Sequence, residues 1–328
     1  MKRPRRTADL PIDEQRWVLT GVSRVTAYTH LRAEDLVKPR SARVFFDPAD
    51  TETGIWAAQD LITKGCGVLD LGSGSGAAAA AMARAGARVH GVDRGAETVS
   101  WASEHYASRS AEPQVTFAQG DFSTLSAEEL LATVPGPLPH PLIISTNPPY
   151  VPLPAETNEP RPSINGGTDG LRLLPAIIEH CRALRSDLAL TIGSYSTPRK
   201  AARLLTAAGL HIQAITLCPI ALGEFTLSNM EQVRDLETRG EAVLWRRTPL
   251  ETPAYFALGL ACRWNEAAGP RKARPARHWT GEDLIRLLQA AASSRAPRLE
   301  ALDSLLPEDR PGPVRVLDLP AQADRHHW

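Results

Sequence analysis

Residues 66–86 read CGVLDLGSGSGAAAAAMARAG, and this stretch decides the fold. Val68, Leu69 and Leu71 form a short apolar run of the kind buried as a parallel strand. Three glycines, Gly72, Gly74 and Gly76, follow at once and open onto an alanine-rich helix over Ala77–Ala85. Glycine lets a backbone pass close under a ligand, and a helix amino end aims its free N–H groups at that ligand. The spacing is GxGxG rather than the GxGxxG of a dinucleotide fingerprint, and Asp70 lies inside the strand.

Downstream, Arg88–Val92 reads as the next strand and ends at Asp93. A carboxylate roughly 20 residues beyond such glycines is placed to accept both hydroxyls of a ribose. Val115–Ala118 is a third strand, with Asp121 placed to accept from an adenine amino group and Phe122 to pack on the ring. Leu142–Ile144, bounded by prolines, is a fourth strand and runs into TNPPY, Thr146–Tyr150. Proline fixes its own φ and pushes the preceding residue out of the α region, so Asn147 and Pro148 are held extended. The Asn147 side-chain oxygen and the Pro148 carbonyl can then both face a cleft. Two fixed acceptors suit a planar NH2 group, and Tyr150 offers that group a flat face.

Further strands are expected at Leu188–Ile192 and His211–Leu217, and a seventh at either Ala242–Trp245 or Tyr255–Ala261, with helices at Leu171–Leu184 and Pro198–Ala208 between them. Strands alternating with helices at this spacing give a Rossmann-like, doubly wound, mostly parallel sheet of seven strands. Upstream, Arg43–Phe46 reads as an edge strand, and a helix follows with Thr51 or Thr53 as its cap. The chain divides into an amino-terminal extension (1–43), a main domain (44–262) and a partly helical carboxyl-terminal extension (263–328) with an amphipathic helix at Glu282–Ala292. A short helix is also expected at Asp13–Leu19.

The balance of 37 basic against 37 acidic residues gives no support for a chain that coats nucleic acid. The Arg271, Lys272, Arg274 and Arg277 cluster, beside Trp264 and Trp279, reads as a solvated linker rather than a phosphate-binding surface. The four cysteines, Cys66, Cys181, Cys218 and Cys262, form no CxxC pair. That argues against a zinc site or a disulfide framework and for a reducing, cytoplasmic compartment. No apolar run approaches membrane length, and MKRPRR followed by TADLPIDEQ is not expected to act as a secretory signal.

Taken together, VLDLGSGSG, Asp93, GDF (120–122) and NPPY resemble class I S-adenosylmethionine-dependent methyltransferases. More narrowly, NPPYV followed by NEP (Asn158, Glu159, Pro160) and INGGTDGL (Ile164–Leu171) is similar to the HemK/PrmC group of protein N5-glutamine methyltransferases, which modify the GGQ loop of peptide release factors. The Thr51-Glu52 step of DPADTET resembles that group's PRPETE segment. The resemblance spans about residues 44–200, and only about 43 residues precede it, so the group's helical amino-terminal domain is expected to be missing. It implies S-adenosylmethionine as cofactor, with Gly72, Ser73, Gly74 and Gly76 under its methionine part and Asp70 bracing the loop. It further implies Thr51 among the cofactor contacts, Asp93 on the ribose, and Asp121 and Phe122 on the adenine. Asn147 and Pro148 would grip the substrate NH2 beside the cofactor, with Pro149 and Tyr150 completing the pocket. A glutamine in a protein or peptide is the leading acceptor. An exocyclic amine of a nucleic-acid base, a small-molecule amine and a non-catalytic scaffold are the competing readings.

Overall fold

The computed structural model describes residues 22–41, 43–107, 114–155, 164–246, 252–265, 277–293 and 312–320. Within them lies one sheet made of β1 (Val22–Val25), β2 (Gly67–Leu71), β3 (Arg88–Asp93), β4 (Val115–Gln119), β5 (Leu142–Thr146), β6 (Asp187–Gly193), β7 (Leu210–Ala221), β8 (Ala254–Trp264) and β9 (Val314–Leu317). The strand order is β1-β9-β7-β8-β6-β5-β2-β3-β4. All neighbours run parallel except β8, which is antiparallel to both β6 and β7. From β2 the chain builds outward through β3 to β4, then returns to the other side of β2 for β5. The order therefore reverses between β2 and β5, and open α/β sheets bind ligands beyond the strand ends at such a point.

The helices are α1 (Pro48–Gln59), α2 (Ala77–Arg84), α3 (Ala96–Tyr106), α4 (Ala127–Ala132), α5 (Leu174–Leu184), α6 (Pro198–Ala207), α7 (Glu224–Ser228), α8 (Met230–Thr238) and α9 (Gly281–Ala292). Alternation along the strands splits the core in two. Val68, Val89 and Ile143 face Ala58, Leu61 and Met82 of the α1–α2 layer. Leu69, Leu71 and Ile144 face the α5, α6 and α9 layer through Ile177, Leu205 and Leu288. A third cluster lies at the carboxyl end of the sheet, where Met230, Val233 and Leu236 of α8 pack with Tyr150, Tyr195 and Tyr255.

The seven expected strands are present, with Tyr255–Ala261 inside β8 as the seventh, but the sheet has nine. The two additional strands come from the extensions. β9 lies between β1 and β7, with Val314 paired to both Val22 and Ile215. Arg315 makes a bidentate ion pair with Asp60 (2.6 Å for each bond) and its guanidinium stacks 4.8 Å from the Trp56 ring centroid. The amino-terminal segment is clasped at the other side of α1. The buried Glu52 carboxylate accepts from the backbone N–H groups of Thr29, His30 and Leu31 at 3.0–3.1 Å and pairs with His30 Nδ1 at 2.9 Å. These bonds hold its pKa below the usual carboxylate value although burial alone would raise it.

No strand forms at residues 43–46. Asp47 caps α1 instead, accepting from Ala49 N (3.0 Å) and Asp50 N (3.2 Å), with Pro48 at the first helical position. The cap thus lies four residues before Thr51 and six before Thr53, the caps that the sequence suggested. The expected helix at Asp13–Leu19, the NEP triplet and residues 271–274 lie outside the described residues.

Helix α1 sits close on the sheet because β8 carries a glycine beneath it. A Cβ on Gly259 would stand 2.5 Å from the Thr53 carbonyl oxygen and 3.3 Å from Ala57 Cβ. Gly259→Val is expected to cost about 2 kcal/mol or more by overpacking. A denaturant titration checks this, and an unmoved midpoint would contradict it.

Candidate active site

The carboxyl ends of β2 and β5 open into one cleft. At the first, Gly72 (φ +72°) and Gly74 (φ +53°) adopt the left-handed backbone that favours glycine. Gly72 N and Ser73 N donate to Val92 O at 2.8 and 3.2 Å, tying the turn to β3. Asp93 completes the turn. Its Oδ2 accepts from Gly74 N (3.0 Å) and its Oδ1 from Gly95 N (2.9 Å). Burial raises the Asp93 pKa in spite of these two bonds. Ser73, Gly72, Gly74, Asp70, Asp93, Thr98 and Phe122 all line the cleft.

Two glycine-turn expectations change in the structure. Gly76 does not line the cleft. It starts α2 at φ +83°, where a Cβ would lie 2.9 Å from both Ala102 Cβ and Phe117 Cζ, so its absent side chain lets α2 pack against α3 and β4. Asp121 also lies away from the cleft. Its Oδ1 accepts from Ser123 N (3.0 Å) and Ser123 Oγ (2.6 Å), while its Oδ2 faces Arg94 at 4.0 Å. Phe122 lines the cleft, and its carbonyl is fixed by His180 Nε2 at 2.7 Å.

Opposite the glycine turn, α1 and β5 meet through Asp50. Asn147 Nδ2 donates to Asp50 Oδ2 at 2.7 Å, and Tyr150 Oη donates to Asp50 Oδ1 at 2.9 Å. Tyr255 Oη lies 3.0 Å from Tyr150 Oη, and the Tyr195 and Tyr255 rings stand 4.6 Å apart behind them. Burial first, then the Asp50 charge, pushes the Tyr150 hydroxyl far up, so it stays a proton donor. With its nitrogen held by Asp50, the Asn147 amide keeps Oδ1 as a buried acceptor without a partner among the described residues. Pro148, Pro149, Tyr150 and Thr51 line the same cleft, whereas Glu52 points the other way into its amino-terminal clasp. Sequence reasoning missed Asp50, Thr191, Tyr195 and Tyr255. The only local sign of Asp50 was a carboxylate in the first turn of α1, one residue before Thr51.

Asp70 Oδ2, Ser73 Oγ and Thr191 Oγ1 are also buried on the cleft wall without partners among the described residues. Burial pushes the Asp70 carboxyl up to about 7; the Asp93 charge adds to the rise and a hydrogen bond with Ser145 opposes it. The folded chain therefore holds a proton on Asp70 up to about pH 7, whereas an unfolded Asp releases it near 3.8. Between these values the native state binds more protons, so stability falls as pH rises and the loss is complete above pH 7. In urea titrations from pH 5 to 8, Asp70→Asn is expected to flatten that slope. A variant with the wild-type slope would assign it elsewhere.

Residues 68–133 match the family model described as a methyltransferase domain. The chain carries a class I methyltransferase domain. The matched segment runs from β2 through α4 and includes the glycine turn and Asp93, but it stops before Asn147. A release factor glutamine methyltransferase from Caulobacter vibrioides is 29% identical over 200 residues, 57% of this chain and 58% of its own length, so the chain spans less than two thirds of that relative. Among solved structures, a protein from Pyrococcus horikoshii described as an RNA methyltransferase shares 13% identity, with 78% of this chain and 98% of that one covered at a TM-score of 0.42. A magnesium protoporphyrin IX methyltransferase from Synechocystis PCC 6803, solved with S-adenosylmethionine bound, shares 16% identity, covering 69% and 86% at a TM-score of 0.38.

Methyltransferase domains of this class use S-adenosylmethionine, and the cleft fits that donor. Gly72 and Gly74 leave space, since the nearest heavy atoms to a Cβ there would be 3.6 and 4.0 Å away. Asp70 Oδ2 and Ser73 Oγ supply buried polar atoms that still lack a partner, a costly arrangement unless a ligand satisfies them. The Asp93 oxygens, each engaged by one N–H, retain lone pairs for hydroxyl donors. Among the described residues no helix is long and apolar enough to cross a membrane, and no group of three or more His, Cys, Asp or Glu is arranged to hold a metal ion.

Proposed function

We propose that the chain methylates the side-chain amide nitrogen of a glutamine in a protein or peptide, with S-adenosylmethionine as donor. The observation that carries this reading is Asn147 Oδ1, a buried acceptor without a partner at the end of β5, across the switch point from the glycine turn. When bound, the cofactor supplies a methyl group on a sulfonium, an electrophile that needs no protein nucleophile. Asn147 Oδ1 accepts one N–H of the substrate NH2 and so orients its nitrogen. Pro148 and Pro149 hold the NPPY backbone extended, and Tyr150 walls the pocket with its hydroxyl turned to Asp50. Asp93 receives the ribose hydroxyls, and Asp70, Ser73 and the open glycines take the methionine part. Thr51 and Phe122 line the same donor cavity.

The Caulobacter vibrioides relative supports glutamine as the acceptor. A non-catalytic scaffold has no use for four buried oxygens lining one cleft without partners among the described residues, each of which costs stability. The basic-plus-aromatic feature that favoured nucleic acid is weakened because Trp279 is fully buried under α9. The four cysteines are all buried, in keeping with the reducing, cytoplasmic setting that their spacing suggested.

The test is methyl transfer from labelled S-adenosylmethionine to a Gly-Gly-Gln peptide, to RNA and DNA, and to a metabolite extract. Label on the glutamine side-chain nitrogen, located by fragment mass spectrometry, is the expected result. Label confined to nucleic acid or to small amines would replace the acceptor.

A further inference from the structure

We propose that Asp50 is a positioning residue that makes the acceptor site choose an amide NH2 over a carboxylate. The proposal rests on the methyltransferase reading and deepens it. A planar side-chain amide can be turned end for end, presenting either its oxygen or its NH2. In this structure one end of the Asn147 amide lies 2.7 Å from a carboxylate oxygen. Turning the amide would set its oxygen against Asp50 Oδ2, exchanging a charge-assisted hydrogen bond for the apposition of two acceptors.

Asp50 is placed rigidly enough to enforce this. It is buried, with 1% of its surface exposed. Its backbone N–H is held by the Asp47 cap, and α1 is seated on Gly259. Being in the first turn of α1, its charge is favoured by the helix dipole. Its second oxygen accepts a hydrogen bond from the Tyr150 hydroxyl, so that hydroxyl is directed away from the substrate as well. The outcome is an acceptor pocket offering oxygen lone pairs. A glutamine NH2 can donate to Asn147 Oδ1, whereas a glutamate carboxylate meets an amide oxygen backed by a buried negative charge. Asp50 touches no substrate atom in this scheme and acts through Asn147 and Tyr150.

Two measurements test it. The first needs no acceptor: hydrogen exchange of the Asn147 side-chain NH2, followed by NMR in protein labelled with 15N-asparagine and identified by its absence in Asn147→Ala. Asp50→Ala is expected to speed that exchange by about tenfold or more, as loss of a charge-assisted bond implies, and an unchanged rate would overturn the lock. The second compares Gly-Gly-Gln and Gly-Gly-Glu peptides with wild type and Asp50→Asn, whose new amide tolerates either orientation of Asn147. The wild type is expected to methylate the glutamine peptide. The variant should fall by about a hundredfold on it, with the glutamine-to-glutamate rate ratio reduced by at least about tenfold and cofactor affinity kept within about twofold. A ratio that does not move in the variant, or a wild type that modifies both peptides equally, would sink the selectivity while leaving methyl transfer intact. A wild type silent on both peptides, with exchange responding as expected, would remove glutamine as acceptor while the Asp50 lock stands.

Discussion

Asn147→Ala is expected to lower methyl transfer by about a hundred- to a thousandfold, the loss typical of removing one preorganised polar group aimed at the reacting centre. The cofactor's dissociation constant stays within about twofold. The separation follows from where the groups lie. The glycine turn and Asp93 belong to β2, β3 and the segments leaving them, whereas Asn147 sits at the end of β5 and is braced from α1. In the proposed site an alanine would remove the acceptor that orients the substrate nitrogen, so kcat is expected to fall rather than donor binding. It also takes away the Nδ2 donor to Asp50 Oδ2, leaving a buried carboxylate oxygen short of a bond at a cost of about 1–3 kcal/mol in stability. Steady-state kinetics with calorimetry of S-adenosylmethionine on the same sample checks both halves. A variant with wild-type turnover would remove Asn147 from the chemistry.

Asp93→Ala is expected to weaken S-adenosylmethionine binding by about a hundredfold or more. One carboxylate does two jobs here. It orders the glycine turn through Gly74 N and Gly95 N, and in the proposed site its remaining lone pairs would receive the ribose hydroxyls. Hydrogen bonds to a charged group contribute about 1.5–3 kcal/mol each, so losing two reaches that magnitude before the loosened turn is counted. Calorimetric titration with S-adenosylmethionine and with its demethylated product measures the change. Affinity equal to wild type would mean that the ribose lies elsewhere.

What the sequence made legible, and what it hid, divides by the range of the interaction. The seven strands of the central sheet announce themselves through short apolar runs, and the glycine turn through its φ requirements, because each signal is local. Asp50 could not be found that way. Its partners Asn147 and Tyr150 are 97 and 100 residues distant, and nothing near it in the chain specifies that pairing. β1 and β9 were equally hidden. They are four residues each, and Arg315 in the middle of β9 reads as a surface residue until Asp60 and Trp56 are brought to it by the fold. Asp121 shows the opposite error. A strand-end carboxylate looked suited to adenine, but Ser123 two residues later satisfies it locally. At α1, threonine was favoured as the cap over an aspartate followed by proline, and the Asp47–Pro48 start won because it both caps the first turn and fixes its entry.

The most direct measurement is a crystal structure with S-adenosylhomocysteine and a Gly-Gly-Gln peptide. The expected density has the nucleoside held at Asp93, the amino acid part over Gly72 and Gly74, and the glutamine NH2 donating to Asn147 Oδ1. Density for the nucleoside product outside this cleft, or an Asn147 oxygen turned into the protein and away from the peptide, would contradict the account.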